Sequence, residues 1–203
     1  MAADYAQMMR DLLSFYDFTD KTMVSIGAGG GQFIGRGHPA RRIVAIDQDA
    51  AALDQLRLAV AKHDMSDVFS FIHGDFLTME LPARGDVALF EFCLHEMADV
   101  ALALTRAGTL APDVVVFDHG RTSEWAYYVV EEVKVAAAWK ALERFAMVRH
   151  REFAAEQRFK DHAELLAKVQ PQGELAIQRI ERFRGETDIT IPMTYELALL
   201  RFA

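Results

Sequence analysis

Thr22-Met23-Val24-Ser25-Ile26-Gly27-Ala28-Gly29-Gly30-Gly31-Gln32-Phe33 is a short apolar run that ends in a cluster of glycines. Arg42-Ile43-Val44-Ala45-Ile46-Asp47-Gln48 is a second apolar run, and it ends in a carboxylate twenty residues after Gly27. Strand, glycine loop, strand and acidic residue together outline a nucleoside-binding unit. The glycines let the backbone approach a ligand where any side chain would collide. An aspartate at the tip of the second strand can accept two hydrogen bonds from the hydroxyls of a ribose.

The chain on either side of this stretch follows an alternating pattern. Apolar runs at 22–26, 43–46, 68–72, 86–90 and 113–117 read as strands. Helical spacing predicts helices over 4–16, 49–63 and 95–107, with a short one from about Gly31 to Ile34 that Gly35, Gly37 and Pro39 end. Five strands that mostly alternate with helices indicate a parallel sheet covered on both faces. The order changes after His119. Residues 124–147 read as a long helix, and the whole stretch 121–160 is too long for an ordinary α/β connection, so it is read as a helical insertion or lid. A helix capped by Asp161 follows at 161–169, and strands at 175–183 and 189–202 are expected to close a single domain of residues 1–203.

Composition narrows the function classes. At 52% hydrophobic and 26% charged, the chain can build a large core and still be soluble. A net charge of −8 argues against a nucleic-acid partner, which calls for a basic stripe. The single cysteine, Cys93, gives no disulfide framework within the chain. No basic segment followed by an apolar core opens the sequence, and no apolar run approaches the roughly 20 residues of a membrane span. The expectation is a cytoplasmic protein with a small-molecule partner and no membrane partner; a homodimer is compatible with it.

The glycine spacing separates two nucleotide chemistries. The dinucleotide fingerprint Gly-x-Gly-x-x-Gly would require a glycine or alanine at position 32, which is Gln32. The observed spacing is Gly-x-Gly-x-Gly, at Gly27, Gly29 and Gly31. With Asp47, Gly74-Asp75-Phe76 and the segment Phe90-Glu91-Phe92-Cys93-Leu94-His95-Glu96-Met97 in this order, residues 22–118 resemble a class I S-adenosylmethionine-dependent methyltransferase of the small-molecule type. The resemblance implies a Rossmann-like three-layer α/β sandwich with a mostly parallel seven-stranded sheet. Its antiparallel last strand would lie between strands five and six, and 175–202 would supply that hairpin. It implies S-adenosylmethionine as cofactor and S-adenosylhomocysteine as product. Ile26, Gly27, Ala28, Gly29 and Gly31 would pass the methionine part of the cofactor. Asp47 would hold the ribose and Gln48 would lie next to the adenine. Asp75 would accept from the adenine amino group, with Phe76 beside the base, and Glu91 and Phe92 would complete the site.

Two positions depart from the family pattern. Ser25 stands where Glu or Asp is usual, and Glu91 stands where Asn or Ser is common. Glu91 is therefore read as a replacement charge for the cofactor's ammonium. The competing readings are an NAD-dependent oxidoreductase, against which Gln32 speaks, and a non-catalytic S-adenosylmethionine-binding protein, which Ser25 motivates.

Methyl transfer from a sulfonium asks mainly for in-line placement, and some acceptors also need a base. His119, directly after strand five, and His95, after strand four, are the catalytic candidates; the bland alternative for each is a histidine that hydrogen-bonds the sheet rim. Arg121, Trp125 and Tyr128 are candidate walls for a small acidic or aromatic acceptor, although their helical spacing suits a core face equally well. His95-Glu96-Met97-Ala98-Asp99 is not the His-Glu-x-x-His pattern, and no metal is expected.

Overall fold

The computed structural model describes residues 4–31 and 38–202. The short helix expected from Gly31 to Ile34, and Gln32 with it, lies largely outside the described residues.

Strands β1 (Thr22–Ile26), β2 (Arg42–Asp47), β3 (Phe69–His73), β4 (Val87–Glu91) and β5 (Asp113–His119) run parallel. Two long strands close the sheet: β6 (Met147–Asp161) and β7 (Thr187–Arg201). β7 pairs antiparallel with both β5 and β6, which gives the order β3-β2-β1-β4-β5-β7-β6. The sheet is thus seven-stranded with one antiparallel strand between the fifth and the sixth. The strand order reverses beside β1, so the carboxyl ends of β1 and β4 flank the crevice where open α/β sheets take ligands.

Alternation along each central strand makes two cores. Met23, Leu89, Val115 and Phe117 point to the face covered by α1 (Tyr5–Phe15) through Met8, Leu12 and Phe15. Val24, Ala88, Phe90, Val114 and Val116 point to the other face, under α3 (Val100–Leu110) and α5 (Glu132–Leu142). A smaller cluster seats α2 (Ala50–Lys62) on Ala45 through Leu53, Leu56 and Val60. Helix starts are set by side chains that satisfy the first free amides. Asp49 accepts from Ala51 N at 2.8 Å, and Asp99 accepts from Leu102 N at 2.9 Å. Two tyrosines pin α1 and the residue after it to the sheet. Tyr195 donates to Asp11 at 2.6 Å, and Tyr16 donates to Asp113 at 2.9 Å. Among the described residues no helix is long and apolar enough to cross a membrane.

Two segments differ from the sequence-based expectation. Residues 121–160 do carry two helices, α4 (Glu124–Tyr128) and α5, but from Met147 onward the stretch is strand β6. β6 is an edge strand with only Gln157 and Phe159 fully buried, so its charged outer face reads like a loop. Residues 175–183 are not a strand. Glu174–Ile180 form helix α7, which buries Ala176 and Ile180 four residues apart, and a short turn follows at Glu181–Phe183. Together with α6 (His162–Val169), α7 is inserted between the two halves of the closing hairpin. The Asp161 cap is present, accepting from Glu164 N at 2.9 Å while Glu164 accepts from Lys160 N at 2.6 Å.

Candidate functional site

β1 ends at Ile26 and the chain turns at once through three glycines in the left-handed region, Gly27 at φ 64°, Gly29 at 56° and Gly31 at 84°. Only glycine adopts this conformation freely. Two bonds tie the loop to the tip of β2. Ala28 N donates to Ile46 O at 3.1 Å, and Gly29 N donates to Asp47 Oδ2 at 2.8 Å. Asp47 Oδ1 accepts from Asp49 N at 2.9 Å. Asp47 is therefore oriented before any ligand arrives, with lone pairs left for further donors.

Gly27 is also close-packed. A Cβ there would lie 2.7 Å from both Cβ and Sγ of Cys93, whose thiol donates to Ile26 O at 3.0 Å. Gly27→Ala is expected to cost about 2 kcal/mol, from positive φ plus the overlap. That corresponds to a fall in Tm of about 4–8 °C for a chain of this size. Thermal denaturation checks it, and an unchanged Tm would show that Cys93 moves aside at no cost.

Under the loop, on the α1 face, is a cavity of about 230 Å³. Its lining includes Gly27 through Gly31, Ser25 on β1, Glu91 and Phe92 at the end of β4, and His38. This is smaller than a typical ligand pocket of about 300–1,000 Å³, so it suits one end of a nucleoside conjugate. Glu91 is its distinctive polar group. Burial alone pushes the Glu91 carboxyl up to about 8, and Oε1 has no hydrogen-bond partner. Burial also lowers His38 to about 4, which leaves it uncharged at neutral pH. The cavity therefore presents an acid with no fixed cation beside it, which is the donor set for a positively charged ligand group. The next residue, Phe92, holds φ 49°, a strained value for a side chain of this size, and its amide donates to Phe117 O at 2.7 Å.

Beyond Phe92 the ends of β4 and β5 bring the two histidines together. Their ring centroids are 5.5 Å apart, and Phe92 lies edge-on to His119 at 4.8 Å. His95 Nδ1 is 2.6 Å from Asp118 Oδ1, and His95 N donates to Asp118 Oδ2 at 3.1 Å. Asp118 is 2% exposed, so this is a buried carboxylate–imidazole pair. Glu131 closes the cluster with Oε2 at 3.6 Å from His95 Nε2 and 3.5 Å from His119 Nε2. Burial works against a charged His95, but the hydrogen bond to Asp118 and the nearby Glu131 carboxylate outweigh it and hold its pKa near 10. Burial dominates at His119 and lowers its pKa, so the two rings differ in protonation at neutral pH. Trp139 Nε1 donates to His119 O at 2.7 Å and fixes the end of β5.

The remaining sequence candidates are placed as follows. Gln48 is exposed at the tip of β2, where its carbonyl meets His73 Nε2 at 3.0 Å. Asp75 is exposed and caps its own turn, accepting from Leu77 N at 2.9 Å and from Thr78 Oγ1 at 3.2 Å. Phe76 is 4% exposed and packs edge-on to Phe90 in the core, away from the cavity lining. Arg121 is spent on Glu196, a fully buried carboxylate that accepts from the Arg121 amide at 2.7 Å and from its guanidinium at 3.2 Å. Trp125 packs on Phe159 and Tyr128 on Phe183, both inside the fold. Trp125 and Tyr128 are thus core residues and not open walls, whereas the Arg121 side chain is 47% exposed and paired with Glu196. Glu131 went unnoticed in the sequence, where it reads as one more charge in a helical run.

No protein-family model and no curated protein matches the chain in sequence. Solved structures do match it. A Bacillus halodurans protein provisionally named a methyltransferase superposes with a TM-score of 0.67 at 14% identity, covering 98% of each chain. A S-adenosylmethionine-dependent methyltransferase from Geobacter sulfurreducens in complex with S-adenosylhomocysteine gives 0.62 at 13% identity, covering 97% of this chain and 91% of the other. The [4+2]-cyclase SpnF gives 0.66 at 12% identity, covering 97% and 80%. The chain therefore shares its fold, over nearly its whole length, with the class I S-adenosylmethionine-dependent methyltransferases.

Proposed function

We propose that this protein is a S-adenosylmethionine-dependent methyltransferase that acts on a small-molecule nucleophile. The observation that carries the reading is the left-handed glycine loop set over a cavity lined by the half-buried Glu91, whose Oε1 is buried without a partner, with Asp47 already oriented by the loop. When bound, S-adenosylmethionine supplies a methyl group activated by its sulfonium, leaving S-adenosylhomocysteine. Asp47 accepts the ribose hydroxyls and Glu91 takes the ammonium of the methionine part in place of the carboxylate that Ser25 lacks. Gly27, Ala28 and Gly29 pass along the chain between them. Gln48 and Asp75, both exposed on the adjoining rim, border the adenine. Phe92 divides this side from the pair His95 and His119, which bound the acceptor side. His119, uncharged, has a ring nitrogen lone pair to offer there, whereas His95, with no ion bound, is held charged between the Asp118 and Glu131 carboxylates.

The cyclase neighbour shows that this fold also carries other chemistry, so binding and turnover need separate readouts. The test is thermal shift with S-adenosylmethionine, S-adenosylhomocysteine and NAD, followed by a metabolite screen for methyl release. A ligand that binds the folded state at 100 times its Kd stabilises it by about 2.7 kcal/mol. Stabilisation by the first two and not by NAD is expected. Stabilisation by NAD alone would replace methyl transfer with hydride transfer, and cofactor binding with no methyl release from any acceptor class would leave a binding protein.

A further inference from the structure

The cluster at the ends of β4 and β5 contains more than the two histidines that methyl transfer calls on. His95, Glu96 and Glu131 each present a ligand atom, and these atoms all lie within 4.8 Å of one another. His119 Nε2 lies beside this group, 3.5 Å from Glu131 Oε2. Two edges of this group are 3.5 Å (His95 to Glu96) and 3.6 Å (His95 to Glu131). Ligand atoms about 2.0–2.2 Å from a tetrahedral ion stand about 3.3–3.6 Å apart, so the edges match a coordination shell more closely than they match direct hydrogen bonds. We propose that His95, Glu96 and Glu131 form a binding site for one divalent first-row transition ion, with His119 beside it.

Four further observations agree. His95 engages Asp118 through Nδ1 and turns Nε2 to the cluster, the arrangement in which a carboxylate orients a metal-bound imidazole. The surroundings are dry, with the side chain of His95 3% exposed, His119 10% and Glu131 12%. Glu96 is 48% exposed and leaves one side open for an ion to enter. The chain also pays for the position of Glu131: Val130 sits at φ 62°, which a β-branched residue rarely adopts, and this break between α4 and α5 turns Glu131 toward the histidines. An imidazole with two carboxylates favours zinc, iron, cobalt or manganese over magnesium and calcium, which prefer oxygen ligands throughout. Lys134 bonds Glu96 at 2.8 Å, so an ion entering would share or displace that contact.

Binding of the ion stands apart from the methyl-transfer reading. A role in activating an acceptor does rest on that reading: an oxygen or thiol acceptor on the ion, one phenylalanine from the cofactor cavity, would lose its proton more readily.

The test uses the full chain stripped with a chelator and titrated with Zn²⁺ and Co²⁺ by calorimetry and by visible absorption of the cobalt form. One equivalent is expected, with the cobalt spectrum of a nitrogen–oxygen site and a rise in Tm on Zn²⁺ addition. His95→Ala and Glu131→Ala should each weaken binding by about 100-fold or more, and Asp118→Asn by about 10–100-fold as an orienting partner. Circular dichroism identifies any variant that fails to fold, and Asp118→Asn, which keeps its shape, then decides. Substoichiometric binding, affinity unchanged in these variants, or preference for Mg²⁺ over Zn²⁺ would overturn the site. S-adenosylhomocysteine binding measured on the same samples keeps the two readings separate, because metal binding with no cofactor binding would remove only the methyltransferase proposal.

Discussion

Asp47→Ala is expected to weaken S-adenosylhomocysteine binding by about 100-fold or more. Two effects add. The carboxylate would accept two ribose hydroxyls, and hydrogen bonds to a charged group contribute about 1.5–3 kcal/mol each. The same carboxylate also holds the glycine loop through Gly29 N at 2.8 Å and the start of α2 through Asp49 N at 2.9 Å. Alanine removes both, so the loop loses its preset shape along with its ligand contact. The cost to the empty protein should be small, about 1 kcal/mol, because both amides lie near the surface and can turn to water. Calorimetry with the variant, alongside its melting curve, separates the two. Affinity within threefold of the parent would mean that the ribose is held elsewhere.

Glu91→Gln should change both the pH dependence of stability and that of cofactor binding. The Glu91 carboxyl is pushed up to about 8 by burial, against an ordinary value of 4.5. The folded state therefore holds a proton that the unfolded state has already released. Its stabilising contribution is complete below about pH 4.5, falls as pH rises, and is gone above about pH 8. The loss is on the order of a few kcal/mol, so the ligand-free protein should melt progressively lower from pH 5 to 8. Glutamine stays neutral, and the variant should keep its Tm over that window and exceed the parent at pH 8.

Ligand binding should run the other way. A ligand ammonium calls for ionised Glu91, so affinity for S-adenosylhomocysteine should rise toward pH 8 in the parent, by up to about tenfold per unit. The slope should vanish in Glu91→Gln, with affinity about 10–100-fold weaker at pH 8 from the missing buried pair. Methylthioadenosine, which lacks the amino-acid end, should show no slope in either protein. A parent whose affinity is flat from pH 6 to 8 would detach Glu91 from the ammonium.

The legible parts of the sequence were those in which a local pattern carries a physical constraint. Gly27, Gly29 and Gly31 announce left-handed turns, and the central strands announce burial on both faces through unbroken runs such as Val87-Ala88-Leu89-Phe90. The closing hairpin was harder to read. β6 shows its charged face to solvent along most of its length and lacks the apolar run of a central strand. Helix α7 has Leu175, Ile177 and Ile180 in close succession, and short apolar runs do not distinguish strand from helix until one knows which residues face the core. Trp125 and Tyr128 have the spacing of a pocket wall, but such spacing fits a core face just as well, and the fold uses them as core.

The sequence by itself determined the loop, the carboxylate at the tip of β2 and the α/β alternation, because each follows from residues near one another in the chain. Tertiary structure decided the charge of the site. Glu91 is an ordinary acid in sequence, and its Oε1 becomes buried without a partner only because β1, β4 and α1 close around it. His95, Asp118, His119 and Glu131 come from three separate elements, and their meeting depends on β4 lying beside β5 and on the chain breaking at Val130. Burial and through-space contact set these properties, and neither is encoded in the spacing of residues along the chain.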